Sequence, residues 1–214
     1  VLLALDTATP AVTVAVADGD TVLAQSAEVD ARRHGELLAP AIVRVLRQAG
    51  VDRRAVSAVA VGVGPGPFTG LRVGLVTART LGAVLGVPVL GVCTHDHLAL
   101  AATYAGVGGR FRAVTDARRK EVYWAEYEGT GPGRLTRVDG PQVDRPAAVA
   151  FDGPVVGGGA RLYGEAFPDA REPQQVSAGA LARWVAAGLP TCDPLPLYLR
   201  RPDAVQPQAR KPVL

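Results

Sequence analysis

The sequence predicts an α/β protein of two related lobes, each a mixed β-sheet flanked by helices, with the second lobe reduced. Three observations carry that expectation. Apolar runs of strand length alternate with helical periodicity through the first half. The glycine cluster Gly106-Val107-Gly108-Gly109 breaks the composition near the middle, and strand patterning restarts at Phe111. The lobes are therefore placed at residues 1–107 and 108–214, with a proline-rich, extended tail from Leu189 onward.

The first lobe opens as a β-meander. Leu2 to Ala8 is an apolar run suited to a strand buried on both faces. Val12 to Ala17 alternates Val and Ala, and Asp18-Gly19-Asp20 turns the chain into Thr21 to Glu28. A helix is predicted over 34–49, with Leu38, Ile42, Val45 and Ala49 on one face. Pro40 calls for a bend or a late start there, and Gly50 for a stop. Ser57 to Val63 is a second buried strand, the loop Gly64-Pro65-Gly66-Pro67-Phe68-Thr69-Gly70 follows it, and a helix covers 69–85. Val87 to Val92 and residues 94–104 complete the order βββαβαβα.

In the second lobe Phe111 to Thr115 reads as a strand, and Glu121 to Glu128 alternates aromatic with charged residues, as a half-exposed strand does. Gly129 to Gly133 reads as a turn. Beyond it the signals are a strand at Val155-Val156, a turn or an adenine-approaching backbone at Gly157-Gly158-Gly159, and a helix over 177–187.

Composition narrows the classes of function. Of 214 residues 48% are apolar and only 5% aromatic, so the core is aliphatic. No uninterrupted apolar run reaches the roughly 18 residues of a membrane span, and Val1 to Leu5 has no basic segment before it, so it reads as a strand rather than a leader. Cys93 and Cys192 lie far apart and read as reduced thiols of a cytoplasmic protein. The formal charge of +3 rests on scattered arginine pairs, with lysine only at positions 120 and 211; this permits a contribution to RNA binding without demanding one.

A β-meander feeding βαβα, then a second copy starting the same way, is the layout of actin-like ATPase (ASKHA) domains. Four segments sharpen this: Leu3-Ala4-Leu5-Asp6-Thr7-Ala8-Thr9; Gly64-Pro65-Gly66-Pro67-Phe68-Thr69-Gly70-Leu71-Arg72-Val73-Gly74; Asp116-Ala117-Arg118-Arg119-Lys120-Glu121-Val122-Tyr123-Trp124-Ala125; and Tyr198-Leu199-Arg200. In that order the chain resembles the TsaB (YeaZ) family, grouped with glycoprotease-like proteins. The resemblance implies a non-catalytic subunit that binds and stabilises TsaD, the enzyme transferring a threonylcarbamoyl group to the adenosine beside the anticodon of ANN-reading tRNAs. It also implies docking of TsaE on the complex, a homodimer when isolated, tRNA contact through the complex, no membrane, and no cofactor beyond a nucleotide at the subunit boundary.

An actin-like ATPase uses an Asp at the end of its first strand to hold the metal, which Asp6-Thr7-Ala8-Thr9 fits. The matching second-lobe hairpin wants glycine for close backbone approach, yet Asp116 is followed by Ala117-Arg118-Arg119-Lys120. Asp6, Thr7, Thr9, Gly64, Gly66, Asp116, Gly157 and Gly158 are thus candidates for a vestigial nucleotide site, and an ATP-binding kinase-like enzyme stays as an alternative.

So does a metal-dependent glycoprotease-like hydrolase. TsaD carries H-x-x-x-H after a strand ending in GV, and here Thr94 and Leu98 take those positions behind Gly91-Val92. His95 and His97 cannot share a metal on a helix, whereas on a strand Cys93 would join them. His34 reads as a capping or surface residue. No metal is expected, and no catalytic residue.

The positive signal is a ridge of small residues, Gly70, Gly74, Ala78, Gly82 and Gly86, recurring every four positions along the second helix. It packs on the protein's own sheet or first helix, or it offers a two-helix surface to another chain. On the second reading the partner surface comprises Leu38, Ile42, Val45, Gly70, Leu71, Arg72, Gly74, Leu75, Ala78, Arg79, Leu81 and Gly82.

Overall fold

The computed structural model describes residues 1–200; the rest of the predicted tail, with Arg201 and Lys211, lies outside them. The opening meander is β1 (Leu2–Asp6), β2 (Ala11–Asp18) and β3 (Thr21–Val29). It is followed by α1 (His34–Gln48), β4 (Ala58–Gly62), α2 (Phe68–Leu85), β5 (Val89–Val92) and α3 (Thr94–Tyr104). The second half holds β6 (Gly109–Asp116), β7 (Val122–Gly131), β8 (Arg134–Asp144), β9 (Val155–Val156), α4 (Gly158–Leu162), β10 (Ala170–Arg171) and α5 (Ala178–Ala186).

The two sheets share one topology. The first runs β3-β2-β1-β4-β5, its meander antiparallel and β4 and β5 parallel to β1. The second runs β8-β7-β6-β9-β10, again an antiparallel meander with two parallel additions. Its reduction lies in the parallel part, where β9 and β10 have two residues each and α4 has five. Each sheet is thus a copy of the other, one full and one trimmed.

Core packing follows from strand alternation. On one face of the first sheet Leu3, Leu5, Val12, Val14 and Val16 meet Leu38, Ile42 and Val45 of α1 and Leu71 and Leu75 of α2. Each such fully buried aliphatic side chain contributes about 1.5–3 kcal/mol. The opposite face is nearly all alanine (Ala4, Ala15, Ala17, Ala60), and Leu181, Ala182 and Trp184 of α5 pack there beside Leu100 of α3. Elsewhere α3 lays Leu98, Ala99 and Ala102 on Phe111, Ala113, Ala125 and Tyr127 of the second sheet. The loop at 105–108 separates the sheets in sequence, while α5 returns to cover the first and α3 reaches the second.

Several expectations are corrected. α1 starts at His34 and runs through Pro40, so the proline delays nothing. The EVYWAEYE strand is buried on both faces rather than half-exposed: Tyr127 faces α3, Trp124 faces Val149 and Phe167, and Glu126 is sealed by ion pairs to Arg110 and Arg112. The strand also continues to Gly131, which shortens the predicted turn and adds β8. Gly157 is the turn, at φ 96°, but Gly158 and Gly159 open α4. By length and composition alone α2 could cross a membrane; its small-residue face lies on the sheet and Arg72 and Arg79 are exposed on the other side.

Candidate functional site

The cleft between the lobes is where an actin-like ATPase would hold its nucleotide. Asp6 ends β1 there, and its carboxylate is engaged by the chain's own donors. Oδ1 accepts the Ala8 N–H at 2.7 Å, and Oδ2 accepts the Thr94 hydroxyl and the His97 Nε2–H, each at 2.8 Å. Asp6 and His97 are both 0% exposed. A Cβ on Gly62 would stand 1.8 Å from Asp6 Oδ2, so only glycine beside it lets the carboxylate lie flat on β4. Three of the roughly four acceptor positions of the carboxylate are thereby taken by the chain's own donors, away from solvent.

The other candidates divide. Thr7 donates its hydroxyl to Gly70 O at 2.7 Å, and His34 Nε2, 2.8 Å from Thr9 O, ties α1 to the same hairpin. His34 is therefore buried rather than a surface residue. Gly64 is bonded to Thr94 through both backbone groups. A Cβ on Gly66 would fall 2.1 Å from Ala8 O, and one on Gly157 2.3 Å from Val114 O. These glycines serve chain-on-chain contact. Only Thr9, Asp116 and Gly158 meet, around a cavity of about 230 Å³, smaller than the roughly 300–1,000 Å³ of ordinary ligand pockets.

The histidines join the lobes. Both sit on α3, two residues apart, and reach different sheets: His97 bonds Asp6 of β1, and His95 Nε2 lies 2.9 Å from Thr115 Oγ1 of β6. Burial, then the nearby His97 and Arg137, push the His95 imidazolium down to about 3, so the ring is neutral at any physiological pH. Asp96 accepts from Tyr127 and Arg137 of the second sheet. Among the described residues no cluster of three His, Cys, Asp or Glu side chains could hold a metal. Burial raises the Cys93 thiol to about 12, which leaves no thiolate for nucleophilic chemistry.

The small-residue ridge of α2 faces inward. A Cβ on Gly70 would lie 2.5 Å from Thr7 O, on Gly74 2.5 Å from Thr7 Oγ1, and on Gly82 2.3 Å from Val89 Cγ2. Gly86 is the left-handed C-cap, at φ 68°. The ridge therefore seats α2 on β1 and β5, and as an interface it is overturned by the steric demand of the protein's own sheet. Leu38, Ile42, Val45, Leu71, Leu75 and Ala78 are likewise core. Of the predicted surface only Arg72 and Arg79 are exposed, with Leu81 half-buried. What α2 does turn outward is Phe68, Arg72, Val76, Arg79 and Val84, with Val76 59% and Val84 76% exposed; on α1, Val43 is 66% exposed. Periodicity located the helix but did not decide which face meets the sheet, because apolar residues lie on both.

Two sheets of one topology, with α3 and α5 between them and a cleft at the ends of β1 and β6, define an actin-like fold whose first-lobe metal carboxylate is occupied from within. Comparison with known proteins agrees. Residues 21–187 match the model of the family described as TsaD: tRNA N6-adenosine threonylcarbamoyltransferase, and the chain belongs to that glycoprotease-like family. Within it the chain falls with TsaB/YeaZ. The solved structure of YeaZ from Pseudomonas aeruginosa is 33% identical with TM-score 0.77, covering 92% of this chain and 99% of that one. An uncharacterised Mycobacterium tuberculosis protein is 39% identical over 95% of this chain and 93% of its own length. The Escherichia coli tRNA threonylcarbamoyladenosine biosynthesis protein TsaB is 39% identical over 59% of this chain. That match spans about half of the E. coli protein, 54% of its length.

Proposed function

We propose that this chain is the non-catalytic partner of a TsaD-type enzyme in the cytoplasmic synthesis of threonylcarbamoyladenosine on ANN-reading tRNAs. The observation that carries the reading is Asp6: sealed at 0% exposure and hydrogen-bonded to Ala8, Thr94 and His97, it is held by the chain's own donors rather than presented to a catalytic metal. The names of the bacterial TsaB relatives support the pathway.

The docking surface is the outward face of α2 beside α1. Val43, Val76 and Val84 provide desolvated contacts and Arg72 and Arg79 the polar register. Beside it a groove of about 500 Å³ between Ile42, Leu46, Leu81 and Leu85 has Arg53 and Arg54 in its wall. Two such helix pairs make a four-helix contact, used for TsaD in the complex and for a second copy when TsaD is absent. TsaE docks on the assembled complex, tRNA is met through it, and any nucleotide is shared at the subunit boundary.

Size-exclusion chromatography with TsaD tests this. A heterodimer is expected, weakened at least tenfold by Val76→Asp or Val84→Asp, exposed positions that leave the core intact. Unchanged affinity in both variants would remove the surface, and threonylcarbamoyl transfer by TsaD alone would remove the role.

A further inference from the structure

The N-terminus of α5 is buried without being capped. Ser177 stands at the N-cap position with extended backbone, yet its hydroxyl makes no cap bond and donates instead to Gln25 Oε1 of β3, 3.4 Å away. The N–H groups of Ala178, Gly179 and Ala180, all buried residues, have no acceptor among the described residues. Buried N–H groups without a partner are rare, because each loses its hydration and gains nothing in return. Together they form the positive end of the helix dipole, about half a unit charge.

A second orphan faces them. Thr13 of β2 is 1% exposed, and its Oγ1 has no hydrogen-bond partner. Thr13 alternates with Ala15 and Ala17, which pack against Leu181 and Ala182 of α5, so its side chain leaves the sheet on the α5 side. Thr13, Gln25, Ala27, Val176, Ser177 and Ala178 line a cavity of about 300 Å³, at the small end of ligand sites. None of the vestigial nucleotide candidates lines it, and it lies across the first sheet from α1 and α2. The inference therefore goes beyond the docking reading.

Unmatched donors on two walls call for an acceptor between them. Gln25 Oε1 is a partial stand-in. A Cβ on residue 179 would lie 2.5 Å from it, so the glycine there is what lets an oxygen come this close to the helix end. Gln25 is an exposed residue, and its side chain is free to swing aside. No charged residue lines the cavity. A doubly charged phosphate would sit there uncompensated, whereas a carboxylate brings one charge spread over two acceptor oxygens.

We propose that this cavity binds a small aliphatic monocarboxylate. One oxygen takes the place of Gln25 Oε1 on the N–H groups of Ala178, Gly179 and Ala180. The other accepts from the Thr13 and Ser177 hydroxyls, and Ala27 and Val176 cover the carbon end.

Amide NMR of the full chain tests the site, by titration with acetate, chloride and inorganic phosphate at matched ionic strength and neutral pH. Acetate is expected to give saturating shifts at the Ala178, Gly179 and Ala180 amides, with an affinity about fivefold or more above phosphate. Thr13→Val removes the unpaired hydroxyl at nearly constant shape and should weaken acetate about tenfold. Gln25→Glu, at an exposed position, sets the chain's own carboxylate at the helix end. It should abolish acetate binding and raise the unfolding temperature, and it decides the matter alone if Thr13→Val does not fold. Shifts that never saturate, phosphate or chloride binding as tightly as acetate, or wild-type acetate affinity in either folded variant overturns the site.

Discussion

The β1–β2 and β6–β7 hairpins hold equivalent places in the two sheets, and each begins with an aspartate at the end of its first strand. They have gone opposite ways. In the first, Asp6 is buried against Thr94 and His97, and the small residues after it let α1 and α2 close over the turn. In the second, Asp116 keeps partial exposure and leads into three left-handed basic residues facing solvent and a cavity. One hairpin is core and the other is a charged surface. The difference shows how two hairpins at equivalent places of one topology can be packed in opposite ways, one closed by its own helices and one left open.

That contrast makes unequal demands on the two aspartates. Asp6→Ala strands the buried donors of Thr94 and His97, and is expected to cost about 3–5 kcal/mol; Asp116→Ala loses one turn contact at a partly exposed site and about 1 kcal/mol. Denaturant unfolding of both variants measures the gap, and equal losses would erase the distinction drawn between the hairpins.

A graded effect, spread over several pH units, is expected from acid. His95 is held neutral down to about pH 3, whereas an unfolded chain protonates it near 6.5. Below pH 6.5 the unfolded state therefore binds the extra proton, and stability falls as pH falls, by up to about 1.4 kcal/mol per unit, until the folded value is reached. His95→Gln should flatten the stability profile between pH 6 and 4; a profile identical to wild type would show that the inter-lobe histidine is not linked to folding. Smallest is Lys120→Gly, which relieves one left-handed residue of the second hairpin and should raise stability by up to about 1 kcal/mol in the same unfolding measurement.

Much of the frame was legible because local periodicity and tertiary burial coincide there. The meander, α1, α2 and α3 follow from alternation, from i, i+4 spacing and from Gly50. β8 was missed because its eleven residues, RLTRVDGPQVD, carry charges and Gly140-Pro141 inside the strand, and its register against β7 shifts three times. Burial of the second sheet on both faces was hidden for a related reason. Glu126 reads as a solvent-facing residue until Arg110 and Arg112 are seen to close on it.

The chain's own pattern of glycine, alanine and aliphatic residues determined that a small-residue ridge would exist on α2, that Asp6 would end the first strand, and that the β6–β7 turn would be basic. Only the tertiary structure decided which side of α2 meets the sheet, that Thr94 and His97 engage the Asp6 carboxylate, and that β2, β3 and the start of α5 enclose one cavity. The physical reason is that spacing along a helix or strand specifies a face, whereas what that face touches is set by long-range packing of elements remote in sequence.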